Sequence, residues 1–173
     1  ILLTLGYTER EAELAQIAGY LHDIGNVVNR IDHAQSGAVM AFRILDRLGA
    51  DPEDIATIIA AIGNHDEHTA EPVNPVAAAL ILADKTDVRY TRVRETDPSK
   101  FDIHDRVNFA VRRARTYIDD AHESVTLEMT VDTQYCSVMG YFEIFLGRML
   151  LCRKAAERLG LMFRLVINDQ RLL

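Results

Sequence analysis

The chain has no apolar run long enough to cross a bilayer and no signal-peptide pattern among its 173 residues, so no membrane partner is expected. It has no excess of positive charge. Its 19 Lys and Arg stand against 26 Asp and Glu, a net −7, which argues against bulk attraction to nucleic acid or an anionic surface. It has only two cysteines, Cys136 and Cys152, both assigned by periodicity to one late helix. Sixteen residues of helix separate them by about 24 Å, whereas a disulfide needs Cα atoms within about 7 Å. Free thiols follow, and these fit a reducing cytoplasm. There is no Gly-rich phosphate loop, so a P-loop nucleotidase is not supported, and there are no repeats or low-complexity segments. What remains is 49% apolar and 26% charged, an ordinary globular composition long enough for one sizeable core or a domain with an appendage.

The pattern of the first half is helical. Thr8 with Glu11 forms a capping-box signature, followed at helical spacing by Leu14, Ile17, Ala18 and Leu21. Asp32 with Gln35 marks a second start, carried by Gly37, Ala41, Ile44 and Leu48 and stopped by Gly49. Asp51-Pro52 opens a third helix with the stripe Ile55, Ile58, Ile59, Ile62. Asn74-Pro75 opens a fourth, expected to run to about Arg94. Near Pro98 the pattern changes. A short helix or turn is expected in "SKFDIHDRVNFAV", then a hairpin of "RRARTYID" and "TLEMTVD". A long amphipathic helix over about 137–159 and a last strand "MFRLVIN" follow. The expected organisation is a helical domain over 1–97 and a β-β-α-β appendage over 98–173.

Polar residues at inward positions need partners. In "AGYLHDIGN", His22 and Asp23 lie beside the apolar stripe of the first helix, next to the small residues Ala12, Ala15 and Gly19, so a second helix can approach them. His65 continues the Ile58–Ile62 line of the third helix, and Asp84 lies one turn beyond Leu80 on the fourth. Imidazole and carboxylate aimed at one interior suit zinc, manganese or iron. Taken singly, an inward His is more often a hydrogen-bonded core residue and an inward Asp a cap. His33 reads equally well as a solvated first-turn residue. His68 points away if its helix continues, His104 and His122 fall in turn-like contexts, and Asp66 and Glu67 read as a solvated helix end.

The segments "YLHDIGN" and "ILADKTD" resemble the HD pair and the distant Asp segment of the HD-domain metal-dependent phosphohydrolase superfamily. His33 in "DHAQSGA" and His65 in "AAIGNHDEH" stand where two-metal members carry intermediate histidines. The order His-Asp, His, His, Asp is most similar to the bacterial HD proteins that hydrolyse diadenosine tetraphosphate, over about residues 8–94. The resemblance implies a helical HD bundle. It implies His22, Asp23 and Asp84 as central metal ligands, with Asp23 bridging if two ions bind, and His33 and His65 as ligands that complete the coordination of the second ion. It also places the family's first His before Ile1, in a piece expected to be missing from this numbering. The Lys that often follows the HD motif is Asn26 here, so Lys85 or an arginine must supply a phosphate-contacting cation.

From Lys85 to Arg115 there are nine Lys or Arg and five Asp or Glu, a local +4 (9 − 5). This stretch reads either as a solvated face or as a phosphate-binding rim formed by Lys85, Arg89 and Arg92 along one helix. The expected function is water attack on a phosphoester or phosphoanhydride of a nucleotide. It would be assisted by one or two divalent ions, iron or manganese before zinc, cobalt or magnesium, with Asp23 and Lys85 in the chemistry. The alternative is a non-catalytic metal- or nucleotide-binding regulator acting through the C-terminal part. There "YFEIFLGRMLL" would offer a surface for a partner or a second copy, although core packing explains it more simply.

Overall fold

The computed structural model describes residues 1–67, 69–93, 97, 100–101 and 103–173. Six α-helices and a small four-stranded sheet give the mainly-α class with an α+β end that the sequence led us to expect. The chain divides into two compact units. One comprises residues 1–84 with 154–159, the other 85–153 with 160–173. The division therefore falls earlier than 97, and a late helix returns its last residues to the first unit; Pro98, where the change of pattern was expected, lies outside the described residues.

In the first unit, α1 (Glu9–Leu21) starts at a complete capping box: the Thr8 hydroxyl accepts from the Glu11 amide, and the Glu11 carboxylate accepts from the Thr8 amide. Its buried face is Ala12, Leu14 and Ala18, and it packs on α3 (Pro52–Gly63). Ile17 and Leu21, expected to centre that face, are only half buried. Before α1, Leu3–Leu5 form a 3₁₀ turn closed by Gly6 at φ 82°.

α2 (His33–Arg47) begins where expected, but not through a capping box. Asp32 is left-handed (φ 57°) and its side chain caps nothing. Gln35 instead donates to the Gly63 carbonyl at 3.3 Å and to the Thr69 hydroxyl at 3.1 Å, tying α2 to the segment after α3. α2 buries Ala34, Gly37, Ala41 and Leu45, whereas Ile44 and Leu48 are exposed. α3 starts at Asp51, whose carboxylate accepts from the Glu53 amide, and buries Ile55, Ile58 and Ile62.

α4 (Pro75–Lys85), capped by Asn74 accepting from the Ala77 amide, stops at Lys85 rather than near Arg94, which lies outside the described residues. The Asp87 carbonyl, which a continuing helix would pair with a backbone amide, accepts instead from the Arg92 guanidinium at 2.9 Å.

The second unit holds α5 (Ile103–Ala110), β1 (Val111–Ile118), β2 (Ser124–Val131), most of α6 (Val138–Arg158), β3 (Met162–Ile167) and β4 (Gln170–Arg171). The sheet order is β1-β2-β3-β4. β1 and β2 form the expected antiparallel hairpin, β3 runs parallel to β2, and β4, not anticipated, pairs antiparallel with β3. Asp119 holds the hairpin turn by accepting from the Ser124 hydroxyl and from the Glu123 and Ser124 amides, and these donors lower its pKa. Val125, Leu127, Met129, Phe163, Leu165 and Ile167 are buried strand residues, as are Tyr141, Phe145 and Met149 on α6. Tyr141, Phe145, Met149 and Leu151 of the "YFEIFLGRMLL" stretch are thus core, whereas Leu146 and Leu150 are exposed. Both cysteines are free, but Cys136 precedes α6 instead of lying on it.

Between α1 and α2 the chain makes a 3₁₀ turn, Ile24–Val27, that sits on α2. A methyl group on Gly25 would lie 2.0 Å from the His33 carbonyl oxygen and 2.6 Å from the Gly37 amide nitrogen. Gly25→Ala should therefore destabilise the protein by about 3 kcal/mol. Gly19→Ala, where an added Cβ meets nothing within 4 Å, should leave stability unchanged or raise it by about 0.5 kcal/mol. Urea unfolding of both variants checks this, and coincident midpoints would remove the close approach as a packing constraint.

Candidate metal centre

The α1–α2 turn carries His22, the C-cap residue of α1, and Asp23, the residue that opens the 3₁₀ turn. The pair therefore sits at a helix end rather than within the helix. The chain is already turning there, which removes the 100° divergence that two neighbouring helical residues would have. Gly25 lets this turn press against the start of α2, so Asp23 and His33 approach one another, with Asp23 Oδ1 3.3 Å from His33 Nε2. His65 lies two residues beyond α3, at the end of the segment held by Gln35, and its Nε2 is 3.2 Å from His33 Nε2. Asp84 enters from the last turn of α4, its Oδ1 3.9 Å from His22 Nε2. Asp23 also places Oδ2 3.5 Å from His22 Nε2 and Oδ1 3.9 Å from His65 Nε2.

The structure thus brings together all five residues anticipated as ligands. They form two groups, His22–His65–Asp84 and Asp23–His33–His65, and within each group the ligand atoms lie within 4.8 Å of one another. His33 is buried, its side chain 3% exposed, which decides against the solvated first-turn reading. His65 is 1% exposed and Asp23 49%, so the cluster has a buried imidazole floor and a carboxylate at its open side.

One feature unites the three histidines. His22 Nδ1 lies 2.7 Å from the Gly19 carbonyl, His33 Nδ1 3.0 Å from the Arg30 carbonyl, and His65 Nδ1 2.6 Å from the Ile62 carbonyl. A carbonyl only accepts, so each Nδ1 carries a proton and each Nε2 is left turned to the interior. His33 Nε2 and His65 Nε2 lie 3.2 Å apart, close enough for both to face one cation. Backbone anchoring of the distal nitrogen is how metal-binding imidazoles are commonly oriented. Three neutral nitrogens and two carboxylates also balance the charge of one divalent ion. The donor set fits such an ion.

The other anticipated residues are placed differently. Lys85 closes α4 and is buried, at 5% exposed. Arg89 and Arg92 do not continue that helix. Arg89 Nε lies 2.8 Å from Asp87 Oδ1 and Arg92 Nη1 3.4 Å from Asp87 Oδ2, so both close on Asp87. His122 is exposed in the β1–β2 turn, and His68 lies outside the described residues. Periodicity gave no sign of Asn26 and Arg30 as neighbours of the cluster. The Asn26 side chain donates to the Asp23 carbonyl at 3.0 Å and accepts from Arg30 Nη1 at 3.3 Å.

A helical unit that gathers an adjacent His-Asp pair, two later histidines and a distant aspartate offers a donor set for divalent metal. The chain belongs to the HD-domain family, whose family model matches residues 1–89, a span that contains all five of these residues. HD domains bind divalent metals, and as a superfamily they are metal-dependent phosphohydrolases. No curated protein and no solved structure matches the chain. Among the described residues no helix is long and apolar enough to cross a membrane.

Asp23 touches all three histidines, so Asp23→Ala should weaken metal binding by about 100-fold or more while the far-ultraviolet dichroism stays that of the wild type. Elemental analysis after dialysis checks this. Equal metal content in the two proteins would mean that Asp23 is no ligand.

Proposed function

We propose that this chain is a phosphohydrolase that uses water to cleave a phosphoester or phosphoanhydride of a nucleotide. The observation that carries the reading is the convergence of three imidazole Nε2 atoms, each fixed through Nδ1 on a backbone carbonyl, with two carboxylates. His22, His65 and Asp84 would hold one divalent ion. His33 would hold a second with Asp23, and the single Nε2 lone pair of His65 would serve one ion or the other. Such ions supply Lewis acidity toward phosphoryl oxygens and lower the pKa of water.

The remaining roles belong to the protein. Asp23, half exposed, marks the side from which substrate enters. Its two oxygens face different histidines, as a bridging carboxylate requires. His33 and His65 form a floor from which water is excluded. Lys85 follows Asp84 directly in the chain and is our candidate for neutralising charge on the equatorial oxygens. Arg89 and Arg92 would contact phosphate only by giving up Asp87. The nucleotide assignment rests on the local positive balance of 85–115 and on the similarity of motif order to the diadenosine tetraphosphate hydrolases. That similarity makes dinucleotide polyphosphates the first substrates to assay.

A panel of nucleoside and dinucleoside polyphosphates, supplied with manganese, iron, cobalt or magnesium and read by phosphate release and chromatography, tests the proposal. Turnover of at least one is expected, with about two ions per chain and fewer in His65→Ala. Lys85→Met should lower kcat by about tenfold or more with a smaller change in KM. No turnover of any phosphate compound would favour the regulatory alternative. Turnover indifferent to Lys85→Met would keep the enzyme and remove Lys85 from its mechanism.

A further inference from the structure

The geometry points to Arg30 as the residue that receives a second phosphate group, one bridging oxygen removed from the phosphate that reacts. This deepens the hydrolase reading and rests on it. Arg30 lies in the segment between the 3₁₀ turn and α2, where its main chain and side chain do different things. The carbonyl accepts from His33 Nδ1 and so fixes a floor imidazole. The guanidinium leans over the open side of the cluster, with Nη1 3.8 Å from Asp23 Oδ1 and 3.3 Å from Asn26 Oδ1. Asn26 is itself anchored to the Asp23 carbonyl, so the guanidinium is steered to this place rather than left to wander.

The side chain is 73% exposed. An ion pair so exposed, at 3.8 Å, contributes about 0–1 kcal/mol, too little to account for the arrangement as a stabilising device. Two of its contacts use one nitrogen, so most of its five N–H donors face solvent. The other cations anticipated from the sequence are engaged differently: Lys85 is buried, and Arg89 and Arg92 close on Asp87. A phosphoryl group seated over the imidazole floor would project the rest of a phosphate chain past Asp23, toward the fork of Arg30. A guanidinium binds two oxygens of one phosphate in parallel, which a single ammonium cannot do. The ligand class is therefore a compound with two or more linked phosphates.

The test is binding, read without turnover. Metal-loaded wild type, Arg30→Gln and Arg30→Lys are titrated calorimetrically with pyrophosphate and with orthophosphate, and metal content is measured before and after. Arg30→Gln should keep its metal and bind pyrophosphate about tenfold more weakly while changing orthophosphate by less than about threefold, and Arg30→Lys should recover only part of the loss. Equal weakening of both anions, no weakening, or no pyrophosphate binding by the wild type would overturn the assignment. Loss of metal from Arg30→Gln would overturn it as well, making Arg30 a support for Asp23. A wild type that binds pyrophosphate in this way yet hydrolyses nothing would sink the hydrolase reading alone.

Discussion

The contact between Gly25 and the first turn of α2 is the constraint on which the metal centre depends. No side chain separates the two backbones there, because a Cβ on Gly25 would overlap the His33 carbonyl. Gly37 faces the same contact from the other side, 3.3 Å from its hypothetical Cβ to the Gly25 nitrogen and to the His22 carbonyl oxygen. With both residues reduced to hydrogen at Cα, the turn that carries Asp23 and the helix start that carries His33 come within ligand distance. A larger residue at either place would separate the carboxylate from the imidazole, whatever the side chains themselves preferred.

The centre is assembled at two levels. Orientation is local: each histidine is turned by a carbonyl three residues earlier in its own segment, Gly19 for His22, Arg30 for His33 and Ile62 for His65. Distance is tertiary: it comes from the glycine contact, from the α1–α3 packing and from the reach of Gln35 to Gly63. Local features leave a trace in a sequence and tertiary ones leave less. His22, Asp23, His65 and Asp84 could be picked out because polar residues at inward positions of apolar stripes are costly without partners. His33 stayed open, since an Asp-His step at a helix start is commonly solvated and its burial depends on the turn above it. Gln35 looked like a cap partner, and only the left-handed Asp32 frees it for another task.

The same distinction explains what was misjudged in the fold. Periodicity identifies which face of a helix is apolar, but not which part of that face is covered. Ile17, Leu21, Ile44 and Leu48 belong to apolar stripes, yet with Tyr20 and Leu45 they line an open groove while alanines make the close contact. The end of α4 depends on the Arg92 guanidinium taking the Asp87 carbonyl, a contact between side chain and backbone that no hydrophobic pattern encodes. The strand β4 follows from two left-handed residues, Asn168 and Asp169, whose turn sends the chain back along β3. By contrast the capping box of α1 and the β1–β2 hairpin were legible because their partners are neighbours in sequence.

The histidine anchors have a consequence for how folding and loading relate. In small zinc domains the ligands converge only when the ion draws them together, so losing the ion means losing the fold. Here each imidazole is aimed by main chain that exists in the helices and turns regardless of any ion. The polypeptide presents a preformed cage, in which the three Nε2 atoms already face a common interior. Structure and occupancy become separable variables, and the protein can exchange or await its metal without passing through an unfolded state.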